Sequence, residues 1–187
     1  MTEQEAHRIL SKNCLVEVGK FYGGTGALSL GVGLLYAAVR MPTYDIDERI
    51  FLTMEKEAYV LTHECDIDKA NPRSFNEYVV VCPVITIADF ISEYSANYGD
   101  QSRLEGFLAA VARREVNRVV YIPPGPKSLY YGGLLYLNDL ASTHISSFDG
   151  MAPFAALSAY GLREFDNAFT NHLLRPKAEP LSFQTTN

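Results

Sequence analysis

Apolar positions change their spacing several times along the chain, and each change predicts an element. Residues 2–13 read as a short helix, with Ile9 and Leu10 turned to a core. Thr2 and Glu5 have the spacing of a capping box, each side chain satisfying the other's backbone N–H. From Gly19 to Gly33 the chain is rich in glycine, and Gly23-Gly24-Thr25-Gly26 reads as a turn. Leu28 to Val39 fits either a buried helix or a strand pair, because periodicity does not separate the two. Met41 to Asp47 has turn chemistry and is expected to be a loop. Ile50–Thr53 reads as a short strand and Ala58–Thr62 as a clearer one. After a connection at Asn71-Pro72-Arg73-Ser74, the continuous run Tyr78–Cys82 predicts a strand buried on both faces. Pro83 ends it or marks a bulge.

The second half is more helical. Ile87 to Val116 has helical composition broken near Gly99-Asp100, and Phe107, Leu108, Val111 and Ala112 form a core stripe. Arg118–Ile122 predicts a strand that runs into Pro123-Pro124-Gly125-Pro126. Gly133–Leu137 and His144–Phe148 read as further strands. Pro153–Leu174 reads as a closing helix, with Pro153 in its first turn and Pro176 just past its end. The tail after Pro180 is polar. The order of elements is α+β in one domain over residues 1–187.

Composition narrows the class. The 187 residues are 48% hydrophobic and 20% charged, as in a packed globular protein. A chain of this length buries about 70% of its unfolded surface without staples. The net charge of −6 gives no general footprint for duplex DNA. Arg103, Arg113, Arg114 and Arg118 cluster along the chain and leave open a local basic groove, against the plainer reading of a solvated helix face. Three cysteines, Cys14, Cys65 and Cys82, are an odd number without a CxxC pair. They fit a reducing compartment, and a cytoplasmic location is expected. Met1 leads into a polar, acidic segment unlike a signal peptide. The apolar run Ala27–Met41 falls short of the ~20 residues that span a bilayer, so no membrane is expected as a partner.

The middle of the chain has an order of motifs that resembles a known family. Val60-Leu61-Thr62 ends one strand, and a polar loop with Phe75-Asn76 follows. Val79-Val80-Val81-Cys82 then runs into Pro83-Val84-Ile85-Thr86. This is similar to the core of the MazF/PemK-like toxins, over roughly residues 50–150. Gly133–Leu140 through Ser147-Phe148 looks like that family's following strands. The resemblance implies a small SH3-like curved β-barrel. Helices elaborate it at the N-terminus, in an insertion at about 87–117, and at the C-terminus at about 153–174. It also places Thr62 where the family has a strand-end hydroxyl. The family's Arg-Pro pair before the strand is replaced by Glu55-Lys56-Glu57-Ala58, which removes the arginine expected to stabilise a cleaved phosphodiester.

The segment Thr62-His63-Glu64-Cys65-Asp66-Ile67-Asp68 is the richest in reactive groups. On a strand, His63 and Cys65 share one face, and Glu64 and Asp66 the other. Cys65 is a candidate nucleophile activated by His63 or His144 and oriented by Asp66, since the thiolate is the reactive form. The alternative is a small packed cysteine beside acids that cap a turn. His63, Cys65, Asp66 and Asp68 include metal donors, but a second pair would have to come from His144 or His172, and no metal is assigned. Asp66 and Asp68 are also suited to pinning a binding loop by accepting backbone N–H bonds, with Arg73 pairing to a ligand or to these acids. Tyr130, Tyr131 and Tyr136, near the proline loop, are candidates for a stacking platform for single-stranded RNA, against ordinary packing. The glycines at 23–33 match neither a phosphate-binding loop nor a dinucleotide fingerprint, and no cofactor is expected.

These readings lead to one expectation and one alternative. The expectation is a binding or regulatory component of a bacterial stress, toxin–antitoxin or phage-defence system, with a protein partner or homo-oligomer. The alternative is a hydrolase using Cys65 with His63 or His144, or a divergent ribonuclease around Thr62.

Overall fold

The computed structural model describes residues 1–26, 28–68, 70 and 77–174. Arg73, the Asn71–Ser74 connection, Phe75-Asn76, Pro176 and the tail lie outside the described residues. Two helices lead the chain, α1 at Glu3–Asn13 and α2 at Val18–Phe21. The expected capping box is present: Thr2 N–H donates to Glu5 Oε2, and Glu5 N–H to Thr2 Oγ1. A long hairpin follows, made of β1 at Leu34–Asp45 and β2 at Ile50–Val60. The one-turn helix α3 at Glu64–Ile67 precedes β3 at Tyr78–Thr86. Then come α4 at Ile87–Asn97, α5 at Gln101–Ala112, β4 at Val119–Ile122, β5 at Gly133–Tyr136 and β6 at Ala141–His144. The short β7 at Ala155–Ala156 and α6 at Ala159–Leu174 close the described chain.

The protein is a mixed α+β structure on one antiparallel sheet of seven strands. Its order is β4-β5-β3-β2-β1-β7, with β6 also paired to β3. β3 is the spine. It pairs β2 through Val81–Pro83 on one side, and on the other β6 through Tyr78–Val81 and β5 through Val84–Thr86. Pro83 sits between those last two partners, where no ladder bond needs its missing N–H. The expected bulge is therefore an exchange of neighbours, and the strand continues past it. The sheet is not closed by a ladder, but it curls until the Thr143 hydroxyl donates to the Arg40 carbonyl of β1.

Three apolar clusters hold the layers. Leu35, Tyr59, Cys82 and Leu135 meet Phe165 of α6 on one face. Tyr36, Ala58, Val60, Val79 and Val81 pack with Phe148 on the other. Leu10 of α1 joins Leu104, Leu108 and Val111 of α5 against Tyr121 and Leu134. The expected break between α4 and α5 is real, and Asp100 caps α5 by accepting from Arg103 N–H.

Several boundaries differ from the sequence reading. Leu28–Val39 resolves into β1 from Leu34, and the strand runs on through the expected loop to Asp45. The two predicted strands at 50–53 and 58–62 are one strand, β2. β3 is not buried on both faces throughout, since Tyr78 and Val80 are exposed. Residues 145–148 form a 3-10 turn after β6. The closing helix starts at Ala159, because residues 153–157 are drawn out to pair β1. Among the described residues, no helix is long and apolar enough to cross a membrane.

Candidate functional site

β2 stops at Val60, and the chain then leaves the sheet in three steps. Leu61 N–H still donates to Val80 O at 2.9 Å. The Thr62 hydroxyl accepts from Val80 N–H at 2.7 Å, so it finishes the pairing of the strand end. His63 is the N-cap of α3, with extended backbone and no capping bond from its side chain. Ile67, 5% exposed, anchors the turn in the core. Asp68 closes it: its N–H donates to Glu64 O, and its Oδ1 accepts from Ala70 N–H at 2.9 Å. The pinning role expected of Asp68 is thus visible as a hydrogen bond.

This helical turn replaces the strand-end geometry expected for His63 and Cys65. A turn of helix rotates successive side chains by about 100° rather than 180°, and the two residues face different spaces. Cys65 and Asp68 line a cleft of about 460 Å³ with Ser29, Leu30 and Ile145. His63 lines a neighbouring cleft of about 490 Å³ with Leu28, Leu34 and Leu162. Glu64 and Ser29 border both. Glu64 stands 3.7 Å from His63 Nδ1 through its Oε2. The glycine-rich segment lies across this turn. A Cβ at Gly31 would come within 2.9 Å of Glu64 Cβ and 3.1 Å of Glu64 N, so a side chain there would displace α3.

The other expected residues are distributed elsewhere. His144 ends β6 opposite Tyr78, whose ring meets its own edge-on at 5.8 Å. Its Nδ1 is within 2.7 Å of Ser146 Oγ and accepts from Ser146 N–H. It lines neither cleft beside Glu64, although Ile145 does. Tyr130 is exposed and packs edge-on against Tyr131, which meets His7 of α1. Tyr131 belongs with the α1–α5 layer, whereas Ile67 packs with the β1–β3 cluster. Asp66 lies within the α3 turn, its N–H bonded to His63 O. Among the described residues, no group of three or more His, Cys, Asp or Glu is placed to hold a metal ion.

The three thiols differ in environment. Cys82 is fully buried, and burial pushes its thiol up to about 12. Burial also raises Cys14. Cys65 is exposed at its cleft. Two of the four arginines read as a solvated face are paired with acids: Arg113 with Glu115 at 2.7 Å and Arg114 with Glu164 at 2.6 Å.

A larger cleft, about 620 Å³, was not foreseen from the sequence. It crosses β2 and β3, and Glu55, Glu57, Asp89, Glu93 and Asp139 line it with Lys56. The signals were present but scattered: Glu55 and Glu57 two apart on a strand, Asp89 and Glu93 four apart on a helix. Half-burial raises the Glu57 carboxyl, and Asp89 adds to this. A Ser128 hydrogen bond and Lys127 act the other way. One of its oxygens, Oε2, is buried without a hydrogen-bond partner among the described residues. Glu57 is therefore more willing to hold a proton in the folded chain than in the unfolded one. Its contribution to stability is full below the ordinary carboxylate value and is lost as pH rises through the raised one. Glu57→Gln should raise the thermal midpoint at pH 7 and lose that advantage at pH 4; equal shifts at both pH values would refute the desolvated carboxylate.

No protein-family profile matches the sequence, and no curated protein matches it.

Proposed function

We propose that this chain is a protein-binding, regulatory component of a bacterial stress, toxin–antitoxin or phage-defence system, built on an SH3-like barrel of the MazF/PemK kind. The curled antiparallel sheet, with β6 brought to β1 through Thr143, supports the barrel. The observation that carries the binding role is the outer half of the β1–β2 hairpin. Ile46 and Phe51 there are 79% and 75% exposed, and Tyr44, Ile50, Leu52 and Met54 are also exposed. Apolar side chains grouped on a shaped surface mark an interaction site.

Two features weigh against RNA cleavage. Glu55-Lys56-Glu57, where the resemblance expects an arginine, borders the acidic cleft, which repels a phosphate backbone. The Thr62 hydroxyl is engaged by Val80 N–H. A cysteine hydrolase also lacks support, since His63 and Cys65 face different clefts. The test has two arms. Single-stranded RNA incubated with the protein should remain intact; cleavage abolished by Thr62→Ala would reinstate the ribonuclease. Cross-linking in the native host should capture a protein contact that Phe51→Asp removes, and a contact indifferent to that substitution would refute the hairpin as the binding surface.

A further inference from the structure

We infer that the occupant of this hairpin is a second copy of the chain, joined edge to edge along β2. The inference rests on reading the hairpin as a contact surface, and it names the partner. β3 backs β2 only at Ala58–Val60, and β7 backs β1 only at Leu34–Leu35. Beyond those points two strands continue together, from Val39 opposite Lys56 to Asp45 opposite Ile50. All of Ile50–Glu55 is exposed. A bare two-stranded ribbon is marginal in water. Yet this one has a built tip. Asp45 Oδ1 accepts from both Asp47 N–H and Glu48 N–H at 3.0 Å, and Arg49 takes the left-handed conformation at φ 57°.

The two edges of the ribbon are not equivalent. In an antiparallel pair, a residue sends both backbone groups to its partner or both away, and the choice alternates along the strand. The Arg40 carbonyl receives the Thr143 hydroxyl, so Arg40 faces away from β2. Two residues on, Pro42 faces the same way and has no N–H to offer. A proline at this position blunts an edge against further pairing. On β2 the residues opposite Arg40, Pro42 and Tyr44 are Glu55, Thr53 and Phe51. These three direct N–H and C=O outward, with no proline and no neighbouring strand among the described residues.

That edge is complementary to itself. A two-fold axis at Thr53 sets Phe51 opposite Glu55 of the partner subunit, and Glu55 opposite the partner's Phe51. Each outward donor then meets an outward acceptor, and Leu52 lies across from the partner's Met54 on one face. Tyr44, Ile46, Ile50, Phe51, Leu52 and Met54 are exposed apolar side chains of the same hairpin, and edge pairing brings those nearest the axis against the other copy.

Sedimentation equilibrium over a wide concentration range tests this, with circular dichroism to confirm folding. The wild type should show a reversible monomer–dimer equilibrium. Thr53→Pro keeps the β1–β2 ladder, because the N–H it removes points outward, and it should weaken the dimer at least tenfold. Phe51→Asp should do the same by setting a second carboxylate opposite the partner's Glu55. A wild type that is monomeric throughout overturns the second copy, while the cross-linking result decides separately whether the hairpin binds another protein. A dimer that survives Thr53→Pro but not Phe51→Asp overturns edge pairing. A dimer indifferent to both overturns the inference.

Discussion

Replacing Tyr59 with alanine should cost about 3–5 kcal/mol of unfolding free energy, the range for removing a large aromatic from a core. Tyr59 is fully buried in the centre of the sheet, and its ring meets Phe165 of α6 at 4.4 Å between centroids. The cavity would open between the sheet and its covering helix, where neither side can collapse freely. The companion substitution separates packing from polarity. The Tyr59 hydroxyl is buried with no hydrogen-bond partner among the described residues, and burial raises its ionisation well above the usual phenol range. Removing an unpaired buried hydroxyl is neutral or stabilising by up to ~1 kcal/mol. Tyr59→Phe should therefore match or exceed the wild type in urea denaturation at an unchanged slope. A loss above ~1 kcal/mol in Tyr59→Phe would mean that the hydroxyl has a partner after all.

Gly161→Ala should lower stability by about 2 kcal/mol despite placing a better helix former in α6. A Cβ at Gly161 would stand 2.2 Å from the Phe21 carbonyl oxygen at the end of α2. That carbonyl is held, because Ser158 N–H donates to it at 2.9 Å. The Ser158 hydroxyl meanwhile donates to Lys20 O and accepts from Gly161 N–H at 3.0 Å. One serine thus caps α6 and ties it to α2, and the glycine lets the two backbones touch. Overpacking costs about 1–3 kcal/mol, and the helix gain of ~1 kcal/mol offsets only part of a cost at the upper end. An unfolding midpoint equal to the wild type would show that α2 is free to move aside.

The parts of the fold legible in the sequence are those set by local chemistry. Thr2 and Glu5 announced α1, and Gly99-Asp100 announced the break before α5. The hairpin was not legible, for a physical reason. Pro42, Asp45 and Asp47 carry turn chemistry, yet Pro42 is tolerated in a strand because its missing N–H faces outward. That direction is set by the register of β1 with β2, including the shift between Tyr36 and Val39, which the sequence does not show. Glu55-Lys56-Glu57 split β2 on paper because the strand leaves the body there and loses its buried face. The candidate segment was legible as a place but not as a geometry. A four-residue helix leaves no periodicity, so nothing in Thr62–Asp68 showed that His63 and Cys65 would face different clefts. The contact with Gly31 joins two segments that sequence alone treated separately.

β3 takes neighbours from both directions along the chain, and this constrains synthesis. As the polypeptide leaves the ribosome, the β1–β2 hairpin emerges first and is local enough to close by itself. Its backing strand follows later, and the strands on the far side of β3 later still. Pairing of β1 with β7 waits until residues 155–156 have been made. The Ile-Phe-Leu stretch of β2, which neither β3 nor β7 covers, is exposed from the moment the hairpin closes in the nascent chain. Exposed apolar strands are the vulnerable species in folding, and polysomes hold several such chains close together. If like edges meet there, assembly can begin on one messenger before any copy is complete.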